Sequence, residues 1–288
     1  MPDDILKTMF LPVALILLMV GMGMGLTLTD FRRVLLSPKA TLVGLALQLL
    51  ALPVLAFGLV YVFRLPGELA AGLMLVAACP GGPTSNIISH LSRGDTALSV
   101  TLTAFSSVIT VFTIPLVVGL AMERFLEGGV AIQLPFLKTF IQLMVVTVIP
   151  IAIGMWLHSA KPEFCQKMAK PVNIMSLVFL GLIIVAAVVK EKDLGAQIVA
   201  AGPAVVALNL GGMALGALVA GSLGLGKRQR ISISVEAGIQ NGTLALAIAL
   251  GLLDSSRMAV PAVVYSLFMF VSGAAMIFWF GRGLRQKE

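Results

Sequence analysis

The sequence predicts an all-α polytopic membrane protein, and its composition and apolar pattern carry this prediction. Of the 288 residues, 59% are hydrophobic and 11% are charged, more apolar surface than a soluble domain of this length can bury. The apolar residues form continuous runs rather than an alternating pattern, which favours membrane helices over a β-barrel. The net charge of +7 lies in the short loops, so it predicts a membrane orientation rather than nucleic-acid binding.

Nine apolar segments are long enough to cross a bilayer, which requires roughly 20 residues of helix. The segments are about 9–29, 38–63, 67–92, 95–123, 133–158, 171–190, 195–223, 228–253 and 257–281. The first follows Asp3, Asp4 and Lys7 and precedes no small-residue cleavage site, so we expect a retained span rather than a signal peptide. Cys79 and Cys165 are too few and too far apart for a disulfide framework or a metal cluster.

The basic residues are distributed unevenly over the loops between these segments. Thirteen of the twenty Lys and Arg residues lie on the side of the C-terminus, six lie on the other side, and Lys138 lies near the start of the fifth segment. Cytoplasmic loops carry an excess of Lys and Arg. We therefore expect an integral protein of the cell membrane with its N-terminus outside and its C-terminus in the cytoplasm.

The third and eighth segments are interrupted by residues that break a helix. The interruptions are residues 79–86, CPGGPTSN, and residues 236–243, EAGIQNGT. Free backbone groups cost several kcal/mol each in hydrocarbon, so broken helices occur where they line a cavity or are buried in protein. Breaks five segments apart pair segments one to four with six to nine in inverted orientation and leave the fifth unpaired, and such paired breaks point to a transporter's binding site. Gln48 and Asn209, isolated amides in the paired segments two and seven, support this inverted repeat.

Glu236 is the only acidic residue deep within a predicted segment, and it predicts a cation site. A carboxylate at that depth requires a cation or a proton. Oxygen-bearing side chains at the breaks and on one face of the fourth segment belong to Ser85, Asn86, Ser99, Thr103, Gln240 and Asn241. One carboxylate among hydroxyl and amide oxygens favours Na⁺ over Ca²⁺. Two structural readings compete with it: a protonated Glu236 bonded to freed backbone, and Ser99 with Thr103 as ordinary hydrogen-bonding residues between helices.

The same breaks predict an anion site. Each starts a new half-helix, near Thr84 to Asn86 and near Asn241 to Thr243, whose free N–H groups and dipole favour a carboxylate or sulfate. The predicted substrate-binding residues are Thr84, Asn86, Asn241, Gly242 and Thr243. A nucleotide loop, a zinc pattern and a convincing nucleophile are absent from the sequence, so we expect no enzyme.

The two interruptions and the stretch RGDTALS at residues 93–99 resemble the bile acid:sodium symporter family over nearly the whole chain from residue 9. The chain is similar to the nine-helix form that lacks the first helix. The resemblance implies one transmembrane unit over residues 1–288. Its core would comprise about 38–123 and 195–281, built around two crossed broken helices, and its panel about 9–29 and 133–190.

The resemblance also implies two sodium sites. The first would comprise Ser85, Asn86, Ser99, Thr103 and Glu236, and the second Gln48, Glu236, Gln240 and the carbonyls of Ala237 and Ile239. The substrate side departs from the family pattern, because Pro83 replaces a common Thr and the stretch 267–271 is apolar where relatives carry a His-Asn pair.

The sequence as a whole predicts a sodium-coupled symporter of an organic anion, working by alternating access. The substrate would be bile-acid-like, pantoate-like or a keto acid. A proton-coupled carrier or exporter of the same fold, with Glu236 as proton site, is the alternative. A membrane sensor or an intramembrane enzyme is the reading from another class, and the sequence offers neither a sensor domain nor a catalytic group for it.

Overall fold

The computed structural model describes residues 11–32, 37–126, 136–190 and 193–281, which are helical between short turns. The first helices are α1 (Leu11–Gly23), α2 (Leu28–Arg32), α3 (Pro38–Val62), α4 (Gly67–Ala78), α5 (Pro83–Leu91) and α6 (Thr96–Phe125). They are followed by α7 (Phe136–Leu143, Met144–Val148 and Ile149–Ala160 in succession), α8 (Pro162–Lys190), α9 (Leu194–Ser222), α10 (Lys227–Gly238), α11 (Gly242–Leu252) and α12 (Ser256–Gly281).

Five stretches of the described chain are long and apolar enough to cross a membrane: α3, α6, α9, α12 and the part of α7 over Phe140–Ala160. The apolar helices α4 and α11 are shorter, because the two predicted interruptions separate them from α5 and α10. The all-α, polytopic membrane architecture is thus confirmed. The count of nine spans and their orientation stay predictions.

Proline explains where the helices depart from the predicted segments. The sixth predicted segment begins at residue 171, whereas α8 begins at Pro162 and contains Pro171 in its interior. That start was wrong because Pro suits the first turn of a helix, and here Pro162 holds that position. Pro53 and Pro150 each follow a π-helical turn, at Leu47–Ala51 and Met144–Val148. A proline lacks an N–H and crowds the carbonyl four residues earlier, which the wider turn relieves.

The two broken helices lie at the centre of the molecule. α4 is buried along nearly its whole length and packs against α6 and α12, while α10 packs against α9. Glycines permit the close approach: a Cβ at Gly72 would collide with the Met258 carbonyl, and one at Gly212 would lie 2.7 Å from the Ala237 carbonyl oxygen. Side chains are therefore excluded from these crossings, and backbone packs on backbone.

The helices α1, α7 and α8 pack on one another at one side of this centre. Gly23 of α1 meets the Ile151 backbone of α7, and Gly154 of α7 meets the Val20 carbonyl of α1. These helices fall in the ranges expected for a panel. The division into core and panel stays a prediction.

Candidate ion and substrate site

The two interruptions cross each other near the middle of the described helices. Gly81 and Gln240 form an isolated antiparallel bridge, and the Asn241 N–H donates to the Pro80 carbonyl over 2.8 Å. Cys79 and Ile239 are extended at the ends of the upstream half-helices α4 and α10. The crossing therefore satisfies part of the backbone that each break frees.

Side chains from neighbouring helices satisfy other freed groups. Gln48 Nε2 donates to the Cys79 carbonyl over 2.7 Å, and Asn209 Nδ2 donates to the Gly238 carbonyl over 2.6 Å. The Tyr265 hydroxyl donates to the same Gly238 carbonyl over 2.9 Å. At the start of α11, Asn241 Oδ1 accepts from the Leu244 N–H over 3.0 Å, as an N-cap. Each upstream half-helix thus ends on an amide from the paired helix.

Glu236, which is 2% exposed, is the centre of a buried oxygen cluster. Its Oε2 accepts from Ser85 Oγ over 2.8 Å and from Ser99 Oγ over 3.1 Å, and its Oε1 accepts from Thr103 Oγ1. Asn86 Oδ1 lies 2.9 Å from Ser99 Oγ and 3.2 Å from Thr103 Oγ1. The structure therefore brings together all five residues expected for the first sodium site.

This oxygen cluster has fewer hydrogens than close oxygen contacts. Ser85, Ser99 and Thr103 each carry one hydroxyl hydrogen, yet each lies within hydrogen-bond distance of two acceptor oxygens, six contacts in all. With Asn86 Oδ1 on this side, half of the contacts lack a hydrogen. Such a cluster is electron-rich and suits a small cation.

The second predicted set lies beside the first. Gln48 Nε2 donates to Gln240 Oε1 over 2.7 Å, and Gln240 Nε2 lies 3.2 Å from the Glu236 carbonyl and 3.0 Å from the Ala237 carbonyl. Ile239 is buried at the same break, where its N–H donates to the Val235 carbonyl. The structure thus connects Gln48, Gln240, Glu236 and Ala237 directly and places Ile239 next to them in the break.

A cavity of about 380 Å³, which we call the large cavity, opens beside the crossing. Thr84, Asn241, Gly242 and Thr243 line one end of it, so four of the five predicted substrate residues share it. Its other walls are apolar and come from α1, α5 and α12: Leu18, Met19, Met22, Ile87, Ile88, Met269, Phe270, Ala274 and Ile277. Asn86, the fifth predicted residue, lines a different cavity of about 200 Å³. No charged side chain lines the large cavity among the described residues.

The roles of Asn209 and Tyr265 were only partly foreseeable. The isolated amide of Asn209 marked it as the counterpart of Gln48, but its partner at Gly238 was not predicted. Tyr265 was not predicted at all, although a tyrosine hydroxyl within an apolar helix needs a hydrogen-bond partner. That requirement was the available signal.

An all-α membrane protein whose two broken helices cross at a buried carboxylate, beside a solute-sized cavity, is a secondary transporter. Its sequence places it further: the chain belongs to the sodium bile acid symporter family, whose model matches residues 12–198. It is therefore a sodium-coupled membrane transporter of a small organic solute, not an enzyme, and the resemblance seen in its motifs is confirmed.

Relatives from bacteria, plants and animals match nearly the whole chain. It is 31% identical to an uncharacterized sodium-dependent transporter, YocS, of Bacillus subtilis (strain 168), over 97% of this chain and 85% of the relative. It is 29% identical to a probable chloroplastic sodium/metabolite cotransporter, BASS2, of Oryza sativa subsp. japonica, over 98% and 67%. It is 27% identical to the hepatic sodium/bile acid cotransporter of Homo sapiens, over 98% and 79%.

Proposed function

We propose that the protein is a symporter that carries two Na⁺ with one organic monoanion by alternating access. The observation that carries this proposal is the hydrogen-poor oxygen cluster around Glu236 next to a cavity that receives two half-helix N-termini. Cation and anion would then bind side by side at one crossing, and each would favour the other. We place the transporter in the cell membrane.

The first Na⁺ would be held by Ser85, Asn86, Ser99, Thr103 and Glu236. A buried carboxylate is costly without a compensating charge, and none of the described side chains bonded to Glu236 is cationic. Hydroxyl, amide and carboxylate oxygens are the ligands of hard cations. A single Na⁺ would supply the positive charge that the cluster lacks.

The second Na⁺ would be held by Gln48, Glu236 and Gln240 with the carbonyls of Ala237 and Ile239. The amides of Gln48 and Gln240 present donors to carbonyls in the structure. Rotation about the last side-chain bond exchanges the amide nitrogen and oxygen. This exchange would turn the pair into oxygen ligands for a cation.

The large cavity suits an anion with an apolar body. The N-terminal ends of α5 and α11 point positive dipole ends at Thr84 and Thr243, which would receive the anionic group. The remaining walls are apolar and would cover a hydrophobic body. This favours a bile-acid-like or a branched pantoate-like monoanion over a small, polar keto acid.

Coupling would follow from the shared crossing. Na⁺ at Glu236 would fix Asn86 and the start of α5, and Na⁺ at Gln240 would fix the start of α11, which completes the anion site. The large cavity and another of about 190 Å³ both lie between α1 or α7 and the broken helices. Loose packing along this boundary supports movement of a core, about 38–123 and 195–281, against a panel, about 9–29 and 133–190.

Sodium binding is the first prediction to test. NaCl should raise the thermal unfolding temperature of the purified protein over KCl at equal ionic strength, by about 1.4 kcal/mol at ten times the dissociation constant. Glu236→Ala and Glu236→Gln should lose this difference. Glu123→Gln, which removes an exposed acid from α6, is the matched control and should keep it.

Three results would contradict the sodium sites or their partner. Stabilisation by NaCl that persists in Glu236→Ala would remove the first site. Stabilisation that follows pH and ignores Na⁺ would assign a proton to Glu236. A screen of bile acids, pantoate and keto acids in NaCl would then identify the anion, and equal stabilisation in KCl would separate its binding from sodium.

A further inference from the structure

A second cavity, which we call the side cavity, lies on the opposite side of α5 from the large cavity. Its volume is about 200 Å³, enough for several water molecules at roughly 30 Å³ each. Its walls are the end of α1, the first turns of α8, and the side chains of Asn86 and Val100. Met22, Pro83 and Ile87 line both cavities and so form the partition between them.

The side cavity reaches the oxygen cluster through one side chain. Asn86 lines the cavity, and its Oδ1 lies within hydrogen-bond distance of Ser99 Oγ and Thr103 Oγ1. Those two hydroxyls contact both carboxylate oxygens of Glu236. Val100 adds a wall residue adjacent to Ser99 on α6. The large cavity touches none of these ligands except through its partition, although Gln240 borders it.

The two cavities also differ in the helix ends that face them. The large cavity is lined by Thr84, Gly242 and Thr243, at the N-terminal, electropositive ends of α5 and α11. The side cavity is lined by Met22, Met24 and other residues around the C-terminal, electronegative end of α1, which ends at Gly23. The described residues that line it include no Lys or Arg. One cavity therefore favours an anion and the other a cation.

We propose that the side cavity is a sodium portal, through which the ion at Glu236 exchanges with solvent without passing through the substrate cavity. The inference rests on the proposed sodium symport and adds a separate route to it. The end of α1 leads to the loop predicted to be cytoplasmic, so this portal serves sodium release. Bound substrate in the large cavity then does not obstruct departure of the ion.

Charges placed in each cavity test the separation, with Na⁺ alone as the ligand. Ala169 lines the side cavity and Ala274 lines the large cavity, and both are exposed. Each is replaced by Gln, Glu and Lys, and the half-saturating NaCl concentration for thermal stabilisation is measured for every variant. The Gln variants control for the size of the new side chain.

The portal predicts an asymmetric result. Ala169→Lys should raise the half-saturating NaCl concentration about three- to tenfold over Ala169→Gln, and Ala169→Glu should lower it, as expected for a unit charge near the ion route. The Ala274 series should stay within about twofold of its Gln variant at the same screening.

Other outcomes overturn the inference in distinguishable ways. Equal shifts in both series, or larger shifts in the Ala274 series, overturn the separate portal and leave sodium symport standing. The absence of any sodium response in the unaltered protein overturns the symport proposal together with the portal. The sodium response of Ala169→Gln shows that the variant site is folded.

Discussion

At the scale of single residues, Asn86 decides how the oxygen cluster is satisfied. Its amide oxygen faces Ser99 Oγ and Thr103 Oγ1, which also contact Glu236. A half-turn of the amide would offer N–H donors to the same hydroxyls instead, and those hydroxyls would then donate to Glu236 alone. Asn86 can therefore serve either the ion-free or the ion-bound cluster, which is what a coupling site requires.

Tyr265 and Asn209 hold the end of α10, the helix that carries Glu236. Both donate to the Gly238 carbonyl, two residues after Glu236, and both are fully buried. A carbonyl at the end of a helix has no partner within that helix, so these side chains replace the missing one. We infer that they position the carboxylate and the Ala237 carbonyl rather than bind the ion.

The positioning role predicts the behaviour of Tyr265→Phe. Loss of one donor should lower the free energy of unfolding by about 1 kcal/mol, since Asn209 still satisfies the carbonyl. It should also raise the half-saturating NaCl concentration, because the end of α10 is less fixed. Tyr61→Phe is the natural control, as Tyr61 is exposed. A Tyr265→Phe protein that is less stable but binds Na⁺ unchanged would reduce Tyr265 to a packing residue.

At the scale of elements, the first interruption owes its glycines to Glu236. A Cβ at Gly81 would collide with Glu236 Oε1, whereas a Cβ at Gly82 would meet its nearest neighbour at 3.6 Å, an ordinary contact. Neither residue has a positive φ, so conformational freedom is not the reason for them. The narrow break lets the carboxylate lie directly against the backbone.

This difference predicts opposite outcomes for two neighbouring substitutions. Gly81→Ala should displace the carboxylate, lower the free energy of unfolding by about 1–3 kcal/mol and abolish stabilisation by NaCl. Gly82→Ala should leave the half-saturating NaCl concentration within about twofold. The measurement is thermal unfolding of both variants in NaCl and in KCl. Sodium stabilisation that survives in Gly81→Ala would mean that the ion does not depend on the position of Glu236.

Sequence reasoning located these elements well but not their joints. Both interruptions were predicted because Pro, Gly and polar residues interrupt apolar runs, a signal that is local. The start of α5 at Pro83 rather than at Thr84 to Asn86, and the start of α8 at Pro162, depend on which proline takes the first turn. That choice is made by packing with other helices, which the sequence does not display.

At the scale of the whole molecule, the repeat is visible in the positions of the elements. α4 and α10 begin 160 residues apart, at Gly67 and Lys227, and they end 160 residues apart, at Ala78 and Gly238. α6 and α12 also begin 160 residues apart, at Thr96 and Ser256. Weak identity between the halves concealed this regularity, because backbone geometry and not side-chain identity is repeated.

The side chains break the symmetry that the backbone keeps. The counterparts of the Glu236 cluster in the other half are all apolar and buried: Val76, Leu244, Ala245, Ala259 and Val263. A single oxygen cluster therefore exists where the repeat offers two places. Gln48 and Asn209 illustrate the same divergence, because both end an upstream half-helix but only Gln48 contacts a residue of the expected sodium sites. A sequence without its alignment shows such amides as a pair and not their different duties.

Two sodium sites and one anion site at the crossing predict electrogenic transport. Two Na⁺ moving with one monovalent anion carry one net positive charge, so an interior potential of −100 mV adds about 2.3 kcal/mol to uptake, roughly a 50-fold accumulation. In proteoliposomes with a valinomycin-clamped K⁺ gradient, uptake of the anion that best stabilises the protein in NaCl should rise when the interior is negative and fall when it is positive. Uptake that ignores the potential would leave one Na⁺ per anion. Because Glu236 belongs to the first oxygen cluster, the site lost would then be the one formed by Gln48 and Gln240, and Gln48→Leu would leave the NaCl stabilisation unchanged.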